Sequence, residues 1–248
     1  MLIATYARAA AAEVVPVALT AGFEHDLQAM LKATGIGAGL VYVCNPNNPT
    51  GGVTPSDDLA EFIARVPSGY AVLVDEAYHH FATGCPGYAT LLGHPRVIVA
   101  RTFSKVYGMA GMRVGYAIAS EKLTAAMCVH QLDTNISVVA AAGAMASLED
   151  EAGTHAAVRR TLADRNEFLR QAKLRNLAVL PCAANFAMIR TGQSASAINQ
   201  KFAKQGIHIG RPFPPLNDFI RITFGTPSEM KRFWTVWDRI MTPPPSYC

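Results

Sequence analysis

Charge is sparse in this chain of 248 residues: only 16% are Asp, Glu, Lys or Arg, while 50% are hydrophobic. That balance excludes intrinsic disorder and a charged scaffold, because a chain this apolar has enough to bury in a core. The 22 Lys and Arg residues exceed the 18 Asp and Glu residues by little and are scattered, so they draw no basic stripe. Nucleic acid and an anionic membrane surface are therefore not expected as partners. Cysteine is scarce as well. Its five copies, Cys44, Cys85, Cys128, Cys182 and Cys248, include no CxxC pair. Neither a metal site nor a redox motif is expected, and a reducing cytoplasm is the simplest setting. The opening MLIATYARAAAAEVVPVAL is apolar, yet it lacks a basic first segment and is interrupted by Arg8 and Glu13. It is unlike a signal peptide. No apolar run reaches the length needed to span a bilayer.

What the chain does contain, from about Glu13 to Ala119, is an alternation of short β-branched runs with helical patterns. This is the signature of an α/β fold whose mostly parallel sheet carries helices on both faces. The runs EVVPVAL, GLVYVC, YAVLVD, RVIVART and RVGYAIA read as buried strands. Glu24 to Thr34 and Ser56 to Val66 read as packing helices, with Asp57 and Asp58 suited to the positive end of the second. Two more helices are expected between Glu121 and Ser147, and a long amphipathic one from Glu151 to Asn176. After it come LAVLPC, NFAMIR, a helix from Ser194 to Gln205, IHIG, FIRITF and a helix from Ser228 to Met241. The expected organisation is a large domain over residues 1–150 and a small α+β domain over residues 151–248. The tail TPPPSYC is expected to fray.

Three strand ends carry polar residues where an open parallel sheet keeps its ligands. The first, CNPNNPTGG (Cys44 to Gly52), reads either as a tight connection or as a rigid turn that aims the Asn48 amide at a ligand. In the second, VDEAYHHF (Val74 to Phe81), Asp75 either caps a helix or meets a cation such as a protonated pyridine nitrogen. His79 and His80 read as packed or solvated rather than catalytic. The third, ARTFSKVYGMAGMRVGYA (Ala100 to Ala117), sets Thr102, Ser104, Lys105 and Arg113 together. A lone lysine after a strand is ordinarily a surface residue. Here two hydroxyls and a guanidinium suit a phosphate dianion, and Gly108, Gly111 and Gly115 permit close backbone approach. A desolvated lysine loses its proton and attacks carbonyl carbon.

NPNNPTG, DEAYxxF and RTFSKxxGxAGxRxGY resemble, in order and spacing, the fold-type I, class I/II aminotransferases, and among them the histidinol-phosphate aminotransferase-like branch. The resemblance implies a PLP-transferase fold and pyridoxal 5'-phosphate (PLP) as cofactor. It implies that Lys105 holds PLP as a Schiff base and later moves a proton at the substrate α-carbon. Asp75 would pair with the pyridine nitrogen, Asn48 and Tyr78 with the phenolic oxygen, and Thr102, Ser104 and Arg113 with the phosphate. Arg221, in FIRITFGT, falls on the family's arginine for the substrate α-carboxylate; alone it reads as an exposed residue on an edge strand. Asn185, in AANF, falls on a position near the substrate. A homodimer and an exchange between an amino acid, or histidinol phosphate, and a 2-oxo acid are implied too.

The resemblance starts partway into the family pattern. The Gly-containing turn that cradles the phosphate, and the aromatic that stacks on the ring, have no counterpart, and Tyr6 is a poor substitute for the latter. GRPFPPLND (Gly210 to Asp218) departs from the histidinol-phosphate pattern; either Arg211 is a phosphate-reading arginine or the Pro-rich stretch shapes an apolar substrate pocket. Two alternatives stay open: a PLP-dependent lyase or decarboxylase on the same scaffold, and a truncated, catalytically incomplete PLP-binding remnant.

Overall fold

The computed structural model describes residues 2–35, 37, 39–83, 91, 93–131 and 135–241. The tail TPPPSYC lies outside them. Four strands form the first sheet, in the order β1 (Gly39–Cys44), β2 (Tyr70–Asp75), β3 (Val97–Thr102) and β4 (Gly115–Ala119). The first three are parallel, and Cys44, Asp75 and Ala100 stand side by side in register. Their carboxyl ends are therefore level, and the three motif-bearing connections leave one edge of the sheet. Val41, Val43, Val72, Val74, Val97 and Val99 bury one continuous apolar face together with Leu59, Phe62 and Ile63. Those three belong to α3 (Ser56–Arg65), which begins with Asp57 and Asp58 in its first turn as its dipole favours.

Two of the expected strands differ. EVVPVAL forms no strand and buries no residue; Leu19 makes only an isolated bridge to His25. A strand needs a hydrogen-bonded neighbour to persist, and Pro16 has no amide hydrogen to give one. RVGYAIA supplies β4, but antiparallel to β3 and half exposed rather than buried. Between the two strands lie only turns and a short 3-10 helix, Ala110–Met112, not the crossover helix that a parallel return requires. Gly115 lets the pair close: a Cβ there would sit 2.7 Å from the Arg101 carbonyl oxygen.

The helices follow the sequence more closely. α1 (Leu2–Ala9) was not expected from the pattern, whereas α2 (Leu27–Ala33) is capped by Asp26, whose carboxylate accepts the Ala29 amide at 2.8 Å. α4 (Glu121–Cys128) and α5 (Val138–Glu149) are followed at once by α6 (Glu151–Leu174), with Asp150 between them accepting the Gly153 amide at 2.8 Å.

A second, antiparallel sheet runs in the order β5 (Ala178–Val179), β6 (Phe186–Arg190) and β7 (Phe219–Thr223). LAVLPC contributes only the two residues of β5. α7 (Ala195–Ala203) and α8 (Pro227–Met241) cover this sheet with α6. The core there is aromatic: Phe168, Phe202, Phe233, Trp234 and Trp237 are all buried, with the Phe202 and Phe233 rings stacked at 5.1 Å.

The two sheets meet in a smaller cluster in which Tyr78, Phe81 and Val106 pack against Ala184 and Phe186. Arg165 of α6 spans the same junction, donating from Nη1 to the Phe81 carbonyl at 3.1 Å and the Cys182 carbonyl at 3.2 Å.

Candidate active site

The turn after β1 is closed by its own amides. The Asn45 carboxamide brackets Thr54, donating to its carbonyl at 2.8 Å and accepting from its N–H at 2.9 Å. Asn47 and Gly51 or Gly52 exchange two backbone bonds of 2.7 and 2.8 Å, and Pro46 and Pro49 each follow a cis peptide. With the turn fixed, the Asn48 carboxamide oxygen accepts from Nη1 of Arg221 at 2.7 Å, joining the first sheet to β7.

Asp75 ends β2. Its Oδ2 accepts the Tyr42 hydroxyl at 2.7 Å and its Oδ1 accepts the Ala77 amide at 3.0 Å, so both oxygens are oriented by donors. Tyr78 follows three residues on, buried, with its ring edge-on to Phe186 at 5.1 Å. Burial pushes its hydroxyl up to about 12, against the opposing pull of Arg221. The phenol stays a donor at neutral pH.

Lys105 follows β3. The Thr102 hydroxyl oxygen accepts the Ser104 amide at 3.0 Å, closing a local turn just before the lysine. Its Nζ lies 5.2 Å from the centre of the Tyr78 ring and makes no hydrogen bond or ion pair with another described residue. Burial lowers its pKa from the ordinary lysine value; Arg221 and Arg113 lower it further, while Asp75 acts in the opposite sense. A larger fraction of neutral amine is the result.

Arg221 lies over the faces of Phe186 and Phe213, at 4.9 and 4.8 Å. Its Nε is buried without a hydrogen-bond partner, an unmet donor beside the bonded Nη1. Arg211 is exposed, stacked over Phe213 at 4.4 Å and donating to the Pro212 carbonyl. Arg113, in the left-handed region at φ 54°, is exposed and donates to the Ala110 carbonyl at 2.8 Å. Asn185 is half-buried just before β6; its carbonyl accepts the Phe224 amide at 3.0 Å, and no hydrogen bond ties its carboxamide to the other candidates.

The structure thus gathers Asn48, Asp75, Tyr78, Lys105 and Arg221 around one edge of the first sheet, with Tyr78 buried, Asp75, Lys105 and Arg221 half-buried and Asn48 exposed. Thr102 and Ser104, half-buried, and Arg113, exposed, form a flank, and Arg211 and Asn185 stand at the margin. His79 and His80 are packed, bonded to the Glu76 carbonyl at 2.8 Å and near the Tyr107 hydroxyl at 3.3 Å.

A family model, "Aminotransferase class I and II", matches residues 2–236. The chain belongs to the class I and II aminotransferases. It is 39% identical over 215 residues to "Histidinol-phosphate aminotransferase 2" of Carboxydothermus hydrogenoformans, covering 84% of this chain and 59% of that protein. It is 37% identical over 227 residues to "Aromatic amino acid aminotransferase" of Rhodococcus opacus, covering 91% of this chain and 63% of that one. The structure of histidinol-phosphate aminotransferase from Sinorhizobium meliloti, in complex with pyridoxal-5'-phosphate, superposes with a TM-score of 0.89 at 31% identity, over 96% of this chain and 67% of that one. The chain spans about 60% of the length of these curated aminotransferases.

Two residues of this aminotransferase chain escaped the reading of its sequence: Tyr42 and Phe186. Period-two alternation puts Tyr42 on the face of Cys44, which is beside Asp75, but only the register between β1 and β2 discloses the contact. Phe186 reads as part of an ordinary strand run and becomes a site wall through Arg221, as does Phe213 of the Pro-rich stretch for which an apolar pocket is one of two readings. A buried ion pair lies next door, between Glu76 and Arg101 at 2.6 Å.

Proposed function

We propose that this chain carries the cofactor- and substrate-binding residues of a PLP-dependent aminotransferase, with Lys105 as the attachment point for the cofactor's aldehyde carbon. The observation that carries the reading is the Lys105 amine: half-buried, lowered in pKa, bonded to no described residue, and ringed by Asp75, Tyr78 and Arg221. The unpartnered Nε of Arg221 fits the same group of ligands, because a carboxylate would satisfy the donor.

Bound PLP supplies a pyridinium ring that takes up the electron pair released when a bond at the substrate α-carbon breaks. Asp75, its two oxygens already oriented, would hold the proton on the ring nitrogen. Asn48 and the protonated Tyr78 would donate to the phenolic oxygen. Thr102, Ser104 and Arg113 would take the phosphate. Arg221 would fix the substrate carboxylate through its planar fork, with Asn185 near the substrate, so that the Cα–H bond stands in reach of the Lys105 amine. The amino donor is an amino acid or an amino-alcohol phosphate such as histidinol phosphate, and the acceptor a 2-oxo acid; Arg211 is placed to read a second anionic group. We further assign a division near Asp150 into a large and a small domain, a homodimer, and a cytoplasmic setting. No helix among the described residues is long and apolar enough to cross a membrane.

The test is a titration of the chain with PLP. A visible absorption band is expected in the parent and none in Lys105→Ala. Glutamate formation from 2-oxoglutarate with histidinol phosphate or an aromatic amino acid then identifies the donor. A parent without the band refutes the cofactor assignment, and a banded parent that makes no glutamate from any donor refutes transamination.

A further inference from the structure

We propose that Tyr42 is a positioning residue for Asp75: its hydroxyl, 2.7 Å from Oδ2, fixes the carboxylate that meets the cofactor's ring nitrogen. This rests on the PLP reading given above and names a residue that the three strand-end motifs do not contain.

The geometry leaves Asp75 little freedom. The Ala77 amide holds Oδ1 at 3.0 Å and the Tyr42 hydroxyl holds Oδ2, one donor from the connection after β2 and one from the neighbouring strand. Tyr42 itself is anchored within β1, paired with Leu73 of β2. Each carboxylate oxygen keeps a further lone pair for an incoming N–H. Burial, with Cys44 and Asp75 beside it, raises the Tyr42 pKa far above its ordinary value, so the phenol never competes as an anion. Without that donor the carboxylate could rotate about its Cβ–Cγ bond, and its ionised form would lose one of its two oriented partners.

The experiment uses the full chain, the Tyr42→Phe variant, PLP, and 1-deazapyridoxal phosphate, in which C–H replaces the ring nitrogen. Phenylalanine keeps the ring and its packing; circular dichroism and the melting temperature check the fold. Tyr42→Phe is expected to weaken PLP about tenfold, the scale of one hydrogen bond to a charged group, and to leave the deaza analogue within about twofold. In an Asp75→Asn background the same substitution should no longer discriminate between the two ligands. Equal weakening of both would mean a merely structural role and would overturn the proposal, as would unchanged PLP affinity. If the parent forms no visible band with PLP, the cofactor reading fails and this inference with it; if the band forms normally and only the discrimination is missing, the inference alone fails.

Discussion

The two ends of the candidate site are built to different standards. At the Asp75 end, each carboxylate oxygen has a donor, Asn48 is bonded to Arg221, and Tyr78 packs edge-on against Phe186. At the other end, Arg113 is exposed and its guanidinium leans on the Ala110 carbonyl, while Thr102 uses its hydroxyl oxygen on a local backbone amide. One end is tied together by bonds between side chains of different elements; the other has groups of suitable chemistry tied only to nearby backbone. The contrast lies in the bonds and not in depth, because Asp75, Thr102 and Ser104 are all half-buried while Asn48 and Arg113 are both exposed.

The contrast implies unequal mutational effects. Asp75→Ala should weaken PLP by roughly a hundredfold or more, since truncating a half-buried, hydrogen-bonded charge costs both its bonds and its pairing; equilibrium titration of the visible band measures it. Arg221→Lys keeps the charge but loses the planar fork, so the amino-acid concentration needed to bleach that band should rise by about tenfold or more. Arg113→Ala should cost about tenfold in PLP affinity, and the parent's affinity should itself fall with added salt through this screened contact. An Arg113 loss as large as that of Asp75 would erase the distinction between the ends.

The smallest expected effect concerns pH. Burial, followed by repulsion from His79 and Arg101, lowers the His80 pKa from 6.5 to about 4, and His25 and His79 are lowered as well. The unfolded chain then binds more protons than the folded one below pH 6.5, so stability falls as pH drops through that value toward about 4. Melting temperatures across this window should decline, and His80→Gln should make the decline shallower.

The parts of the molecule legible in the sequence are those where local chemistry and tertiary role coincide. β1, β2 and β3 are β-branched runs that end in Asn-, Asp- and Lys-bearing turns, so strand, edge and candidate residue could be read from one stretch. EVVPVAL has the same composition yet forms no strand, because pairing is a property of neighbours and not of the run. The direction of β4 was likewise hidden, since it depends on what residues 103–114 do and not on RVGYAIA. Tyr42 carries no motif at all. Its importance comes from standing one strand away from Asp75, and strand register cannot be counted along the chain.

Arg165 belongs to neither end of the site. From the middle of α6 one nitrogen grips two carbonyls, those of Phe81 and Cys182, just beyond Tyr78 and just before Asn185. Like a gauge block, it bridges the gap between the part of the chain that would grasp a ring and the part that would grasp a carboxylate. The spacing of the candidate site would then be kept by a side chain outside the group that the site gathers.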